Sequence, residues 1–351
     1  MTGKLYTTLT VVLLLSCFLA AGLRAGNPDR QGEAGAYELL MNPWARSAGL
    51  HTLPISNVRG VEAMRLNVAG LSRINKLEVQ VGHAIYLQGA DIGMNAFGLS
   101  TKVGKSGAFG LSIMSLDLGD IRETTVNQPE GTGATFSPNF FNIGLGYAYT
   151  FENKISVGIL VRGISESTKD LQAFGIALDA GVQYVSGEDD NFKFGISLRN
   201  VGSPMRFQGE GLSTQVNIPG GEYELTVDQR SADFELPSTL NIGLSYDFYL
   251  ADVHRLTLIS GFTANSFSRD QIGAGVEYSL NELFTLRGAY RYDIGVTDEI
   301  EAPIYSGLAA GASVDVPISK RNDDLRLGID YAYRATRVWG GTHNFSLRIN
   351  F

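Results

Sequence analysis

Four histidines, His51, His83, His254 and His343, are the side chains of this 351-residue chain best suited to act as bases near neutral pH. A hydrolytic site would need one of them within reach of a nucleophile and of an acid that orients the ring. They fall on four separate predicted elements and none has a nucleophile signature beside it, so no catalytic residue is assigned and no enzyme activity is expected. Carboxylates gather at Glu188-Asp189-Asp190-Asn191 and at Asn322-Asp323-Asp324, and such oxygen donors suit calcium. Neither cluster has the ligand spacing of a calcium loop, and both lie on predicted short turns, where solvated polar residues belong. Gly144-Leu145-Gly146 and Gly273-Ala274-Gly275 are short glycine repeats of the kind that cradle phosphates, but their glycines occupy alternate strand positions. There they face a crowded interior or allow curvature. No cofactor and no metal are expected.

Sulfur chemistry is equally limited, because Cys17 is the only cysteine. It lies in the apolar run 5–22 that follows Met1-Thr2-Gly3-Lys4, an arrangement that reads as an export signal. Cleavage fits after Gly22 or after Ala25, and residues 1–25 are taken as the signal peptide. A competing reading makes Leu14-Leu15-Ser16-Cys17 a lipoprotein processing site with Cys17 acylated. Removing residues 1–25 takes away Lys4 and Arg24, so 28 basic residues fall by two against 36 acidic ones and the formal net charge becomes −10. Nucleic acid is therefore not an expected partner.

The elements that must carry the remaining residues alternate with period two, which puts every second side chain on one face of a strand. Phe141, Ile143, Leu145, Tyr147 and Tyr149 interleave with Asn142, Gly144, Gly146, Ala148 and Thr150. The split recurs in Phe174, Ile176, Leu178, Ala180, Val182 and Tyr184, in Leu240, Ile242, Leu244, Tyr246 and Phe248, and in Leu325, Leu327, Ile329, Tyr331 and Tyr333. Such segments run at 77–86, 91–103, 107–116, 139–150, 154–165, 171–185, 192–201, 238–249, 254–265, 270–279, 283–293, 307–317, 324–334 and 343–351, about fourteen in all, the even number of a single-chain bacterial barrel. Ten residues at ~3.3 Å each, tilted by about 45°, cover roughly 23 Å, close to the apolar band of such barrels. After residue 25 no apolar run reaches the ~18 residues of a membrane-spanning helix, so a closed barrel is the one spanning structure left. The expected fold is all-β, a transmembrane antiparallel β-barrel of about 14 strands over residues 77–351 with an N-terminal plug segment, in the cell outer membrane and surrounded by its lipid.

Connection lengths assign the two sides. With both termini in the periplasm, the short polar turns 151–153, 186–191, 250–253, 280–282 and 318–323 lie inside, and the long connections 117–138, 202–237 and 294–306 lie outside. The connection 87–90 is the exception, an external loop that is short. Tyr and Trp near strand ends, such as Tyr147, Tyr149, Tyr246, Tyr331 and Trp339, read as interfacial girdles. Residues 26–76 do not alternate. They contain Asn42-Pro43 and Pro54 among Tyr37, Leu39, Leu40, Met41, Trp44, Leu50 and Leu53, and are expected to form a short helix around 35–41 and irregular chain packed against or inside the barrel. The loop 202–237 carries Phe207, Leu212, Ile218 and Tyr223, an apolar content that reads either as an ordered docking hairpin or as a fold over the barrel mouth. The last strand alternates Phe345, Leu347, Ile349 and Phe351 with polar residues and stops on an aromatic ring, the form of a signal read by barrel assembly machinery.

Several of these segments also resemble a family. Ala36-Tyr37-Glu38-Leu39-Leu40 through Ala45-Arg46-Ser47-Ala48-Gly49-Leu50 is similar to the opening of the PorV/PorQ outer-membrane barrels associated with type IX secretion. Asn67-Val68-Ala69-Gly70-Leu71 resembles the "N-P-A-G-L" that follows in that family and in FadL-like fatty-acid channels, with Val68 in place of proline. Leu118-Gly119-Asp120-Ile121, Asp179-Ala180-Gly181-Val182-Gln183-Tyr184, Leu198-Arg199-Asn200-Val201-Gly202 and Thr342-His343-Asn344-Phe345-Ser346-Leu347 continue the likeness. The resemblance implies a fourteen-stranded FadL-like barrel, with Ala45, Arg46, Gly49, Asn67, Ala69, Gly70 and Leu71 as motif residues of the plug. It further implies a type IX secretion component that docks or shuttles proteins, its partners being C-terminal domains of secreted cargo or other secretion-system proteins. The alternative function is a FadL-like channel for hydrophobic small molecules.

Overall fold

The computed structural model describes residues 26, 28–152, 154–217, 224–251, 253–296, 302–319 and 322–351. Alternating side chains give each strand one apolar and one polar or small face, and fourteen such strands close into an antiparallel barrel. They are β1 (Leu77–Tyr86), β2 (Ile92–Val103), β3 (Gly107–Asp117), β4 (Asn139–Phe151), β5 (Ile155–Thr168), β6 (Leu171–Ser186), β7 (Phe192–Gly202), β8 (Thr239–Ala251), β9 (His254–Asn265), β10 (Gln271–Leu280), β11 (Phe284–Asp293), β12 (Tyr305–Ser319), β13 (Asn322–Thr336) and β14 (Thr342–Asn350). Each pairs with its neighbour in sequence, and β14 returns to β1 with Leu347 opposite Val81 and Ile349 opposite Val79. Closure removes both sheet edges, as a chain surrounded by lipid requires. No helix among the described residues is long and apolar enough to cross a membrane.

The period-two reading holds strand by strand. On β4, Ile143, Leu145, Tyr147 and Tyr149 face outward, and Asn142, Gly144, Gly146, Ala148 and Thr150 are buried inside. Strand ends extend past the expected limits in places: β5 runs to Thr168 and β6 begins at Leu171, leaving a two-residue external turn in which Lys169 takes a positive φ of 46°. Two small hairpins stand in the external loops, Ile121–Arg122 with Thr135–Phe136 and Ser213–Asn217 with Glu224–Asp228.

Residues 36–72 run through the lumen as short turns: a 3-10 turn at Tyr37–Leu40, helices Ala45–Ala48 and Ala63–Leu66, and 3-10 turns at Gly60–Glu62 and Val68–Ser72. The helix expected around 35–41 is thus a single 3-10 turn. Inward-facing strand glycines let this segment approach the wall. A methyl group on Gly158 of β5 would come within 2.7 Å of the Val68 backbone, and one on Gly195 of β7 within 2.6 Å of the Ile55 carbonyl. The molecule's core therefore lies between segment and wall. Met64, Val68 and Leu71 pack on Ala108, Ala148 and Leu160, while Leu50 and Leu53 pack on Ile259 and Ala289.

The direction of this segment corrects one expectation. The C-terminus and the start of β1 lie together at the end with short turns, where the Phe351 N–H donates to the Leu77 carbonyl at 2.8 Å. Gly26 lies at the opposite end, its N–H 2.6 Å from Asp270 Oδ2 in the external connection 266–270, and Arg30 stacks over Phe267. The chain enters the lumen from the outer mouth, so the two ends of the described chain are on opposite sides and not both in the periplasm. Pairing with the long loop is the physical reason: Gly35 donates to the Glu235 carbonyl and Glu235 donates to that of Glu33.

Candidate functional site

Irregular backbone inside a barrel must find partners for its N–H and C=O groups, since no bulk water reaches them. Here inward side chains of the wall supply them. Arg199 Nη2 donates to the Leu39 carbonyl at 3.0 Å, Asn344 Nδ2 to Asn42 at 2.9 Å, Gln183 Nε2 to Ile55 and Val58 at 3.1 and 2.9 Å, and Ser197 Oγ to Leu66 at 2.7 Å. In the other direction Ser346 Oγ accepts from Ala45 N and Glu78 Oε1 from Val61 N. Each such bond is worth about 0.5–1.5 kcal/mol net, and leaving its buried partner unpaired costs about 1–3 kcal/mol.

The motif residues of the segment belong to this docking. Asn67 is fully buried, donates through Nδ2 to the Ile55 and Val182 carbonyls at 2.9 and 3.0 Å, and accepts from Ala69 N at 3.2 Å to cap the following turn. Ala45, Ala69 and Leu71 are fully buried. A side chain on Gly49 would meet Gly311 Cα at 3.0 Å, and one on Gly70 would collide with the Val58 carbonyl. Arg46 differs from these, because it lines a cavity.

Toward the outer mouth the charged groups form a buried network that sequence reading missed as a site. Arg162 Nη2 bonds Asp179 Oδ2 at 3.0 Å and the Met64 carbonyl at 3.1 Å, while Nη1 reaches Asn142 Oδ1 at 3.2 Å. Asp179 Oδ1 accepts from Asn200 N at 2.7 Å, where β7 bulges and Asn200 adopts a φ of 59°. Arg65 donates to the Glu38 and Met41 carbonyls. Burial first, then the charges of Arg162 and Arg199, hold Arg65 well below its ordinary pKa. Burial and the neighbouring Glu166 carboxylate push Glu38 up to about 8. The available signal was the alternation itself, which puts Arg162 in the inward set of β5 with Gly158 and Leu160, and Asp179 in that of β6 with Ala177 and Gly181.

At the periplasmic end the segment leaves a cavity of about 630 Å³ lined by Arg46, Arg59, Glu62, Glu78, Arg255 and Arg348 among other charged residues. Asp189 and Asp190, from the first carboxylate cluster, lie at its edge, and the side chains of Asn322, Asp323 and Asp324 are outside the described set. Among the described residues no group of three or more His, Cys, Asp or Glu stands together to hold a metal.

The terminal strand forms the closing seam, with Phe345 and Leu347 exposed on the outer wall and Phe345 packed on Tyr331 at 5.2 Å between ring centres. Phe351 is exposed and hydrogen-bonded to the start of β1. In the long loop, Phe207 stacks on Phe234 at 5.6 Å over a cluster of Ala36, Leu39, Met205 and Leu236, so this part of the loop folds onto the segment. Leu212 closes a short 3-10 turn that leads into the hairpin, where Val216, Leu225 and Val227 are exposed. Ile218 and Tyr223 lie outside the described residues. The histidines are dispersed: His51 is buried in the segment against Tyr305, His83 bonds Asn95, His254 bonds Tyr278, and His343 bonds Tyr331 and Gln88.

A model of the type IX secretion system membrane protein PorP/SprF family matches residues 76–349. The chain belongs to that family. The match is to PorP/SprF and not to PorV or PorQ, and it begins after the segment 36–71 that carries two of the PorV/PorQ-like motifs. No curated protein matches the chain at a significant level. Among solved structures this PorP/SprF-family barrel is similar to the Pseudomonas putida toluene transporter TodX, at 13% identity and a TM-score of 0.56 over 87% of this chain and 97% of that one. It is also similar to a Pseudomonas aeruginosa FadL homologue, at 13% identity and a TM-score of 0.53 over 88% and 98%. At such identities the likeness is one of fold. Family and barrel type place the protein in the outer membrane, in association with type IX secretion.

Proposed function

We propose that this barrel works as a docking component of type IX secretion, with the segment 26–76 as a plug that blocks the lumen and the protein partners held at the two mouths. The observation that carries the reading is the stitched lumen: wall side chains bond the plug backbone from Leu39 to Leu66, and the outer end is roofed by Met205, Phe207, Phe234 and Leu236. Domain roles follow as part of the same proposal, with residues 1–25 as the export signal and β14, ending at Phe351, as the strand read by barrel assembly machinery. The hairpin Ser213–Asn217 with Glu224–Asp228 exposes Val216, Leu225 and Val227 and is the external docking element. The motif likeness to PorV/PorQ further supports a role in handling cargo with C-terminal sorting domains.

The channel reading draws its support from the fold shared with toluene transporters. The space left in the lumen weighs against it, because the periplasmic cavity is lined by charged groups, which an apolar solute would have to desolvate. Deleting the gene and comparing secreted and surface proteomes tests the proposal. Loss of proteins that bear C-terminal sorting domains is expected, and unchanged export together with lost uptake of a hydrophobic solute would establish the channel instead.

A further inference from the structure

The charged wall of the periplasmic cavity is almost fully matched within itself. Arg255 bonds Glu282 at 2.8 Å and Glu277 at 3.5 Å, Arg287 bonds Glu277 at 2.6 Å, and Arg348 bonds Asp315 at 2.7 Å. Lys193 pairs with Asp247. Glu78 accepts from Val61 N at 2.7 Å, and Glu62 accepts from Ser47 N and Gln80 Nε2, both at 3.0 Å. Arg73 and Arg326 bond only backbone carbonyls, and two guanidinium groups remain without either kind of partner. Arg46 and Arg59 both line the cavity, and among the described residues neither has a hydrogen-bond or ion-pair partner.

Their surroundings differ in a useful way. Arg46 has the acids Glu62, Asp330, Glu78 and Asp315 at a distance, enough to keep it charged despite burial. Arg59 is exposed to the cavity, and its charged neighbours are mainly cations: Arg46, Arg255 and Arg348, with Glu282 the opposing acid. A cation held beside other cations lowers its energy by taking up an anion. The guanidinium fork suits the paired oxygens of a carboxylate or phosphate. The volume, about 630 Å³, falls in the range of small-ligand sites.

We propose that this cavity is a binding site for an oxyanion, a carboxylate or phosphate group that enters from the periplasm and is held between Arg59 and Arg46. Arg255, Arg287, Arg348 and Lys193 keep their acidic partners when it binds. Asp189 and Asp190 at the edge repel extended polyanions, so a single anionic group is selected, carried either by a small solute or by the free end of a polypeptide. The site does not depend on the secretion reading.

The test uses the full-length barrel purified in detergent and titrated calorimetrically with orthophosphate, with succinate, and with a short neutral peptide as its free acid and as its C-terminal amide. Heat-modifiable migration confirms folding of every variant. Saturable binding is expected for wild type and for Lys105→Gln, a periplasmic-turn control outside the cavity. It weakens at least tenfold in Arg59→Gln and Arg46→Gln, and to a smaller extent in Arg59→Lys, which keeps charge but loses the fork. Binding of the peptide acid well above its amide and above the free anions assigns the group to a polypeptide end; comparable binding of phosphate and succinate assigns it to a solute. No saturable binding of any probe, or affinity unchanged in both glutamine variants, overturns the site.

Discussion

Arg162 on β5 and Asp179 on β6 form a buried ion pair, 3.0 Å from Nη2 to Oδ2 with side chains 2% and 4% exposed. Asp179 also holds the bulged backbone of β7 at Asn200, and Arg162 holds the lumen segment at Met64, so one pair ties three strands to that segment. Removing one partner strands the other charge in a site that solvent does not reach. Asp179→Ala is expected to destabilise the folded barrel by about 3–5 kcal/mol. Denaturant titration in lipid vesicles measures this, and the Arg162→Ala, Asp179→Ala double variant should recover part of the loss; a neutral Asp179→Ala would sink the assignment.

The lumen segment and the wall are separable by size at single positions. Gly158→Val and Gly195→Val place methyl groups where the Val68 and Ile55–Ser56 backbones lie, within 2.7 and 2.6 Å of the nearest atoms. Both variants should keep heat-modifiable migration while residues 36–72 become open to added protease. Gly163, whose nearest neighbours are Ile143 and Phe174 side chains at 3.6 and 3.9 Å, accepts alanine with no such change.

The outward face predicts a depth-dependent cost. Leu145 is 63% exposed in the middle of β4, on the wall that meets lipid. Leu145→Arg is expected to lower stability in vesicles by about 2–4 kcal/mol. A cost near zero would mean that this face is covered by protein or water.

Glu38 sets a pH response at the outer end of the lumen segment. Its pKa in the fold, about 8, lies above the ordinary carboxylate value of 4.5, so the folded state holds the proton more tightly than the open one. Stability of the region is therefore complete below about pH 4.5 and declines as pH rises through 8. Hydrogen exchange of residues 36–41 should be faster at pH 9 than at pH 6 in the wild type and nearly pH-independent, after correction for intrinsic rates, in Glu38→Gln. Equal pH dependence in the two proteins would refute the role of Glu38.

Much of the wall was legible in the sequence, because lipid outside and a packed segment inside impose opposite demands on alternate residues. Phe141, Ile143 and Leu145 could be set against Asn142 and Gly144 without any structure. The site was less legible. Arg162 and Asp179 stand 17 positions apart and meet only through the pairing of β5 with β6. The course of residues 26–76 was hidden for a related reason: its fixed points, such as Gly35 on Glu235 and Arg199 on Leu39, join chain segments 200 and 160 positions apart, and the segment has no period of its own.

That course also constrains the order of assembly. The segment passes from the outer mouth, at Gly26, to the inner rim, at Leu77, and its backbone is bound at intervals by groups from the surrounding strands and loops. The seam between β1 and β14 joins the two ends of the barrel sequence, so closing it encloses the segment that leads into β1.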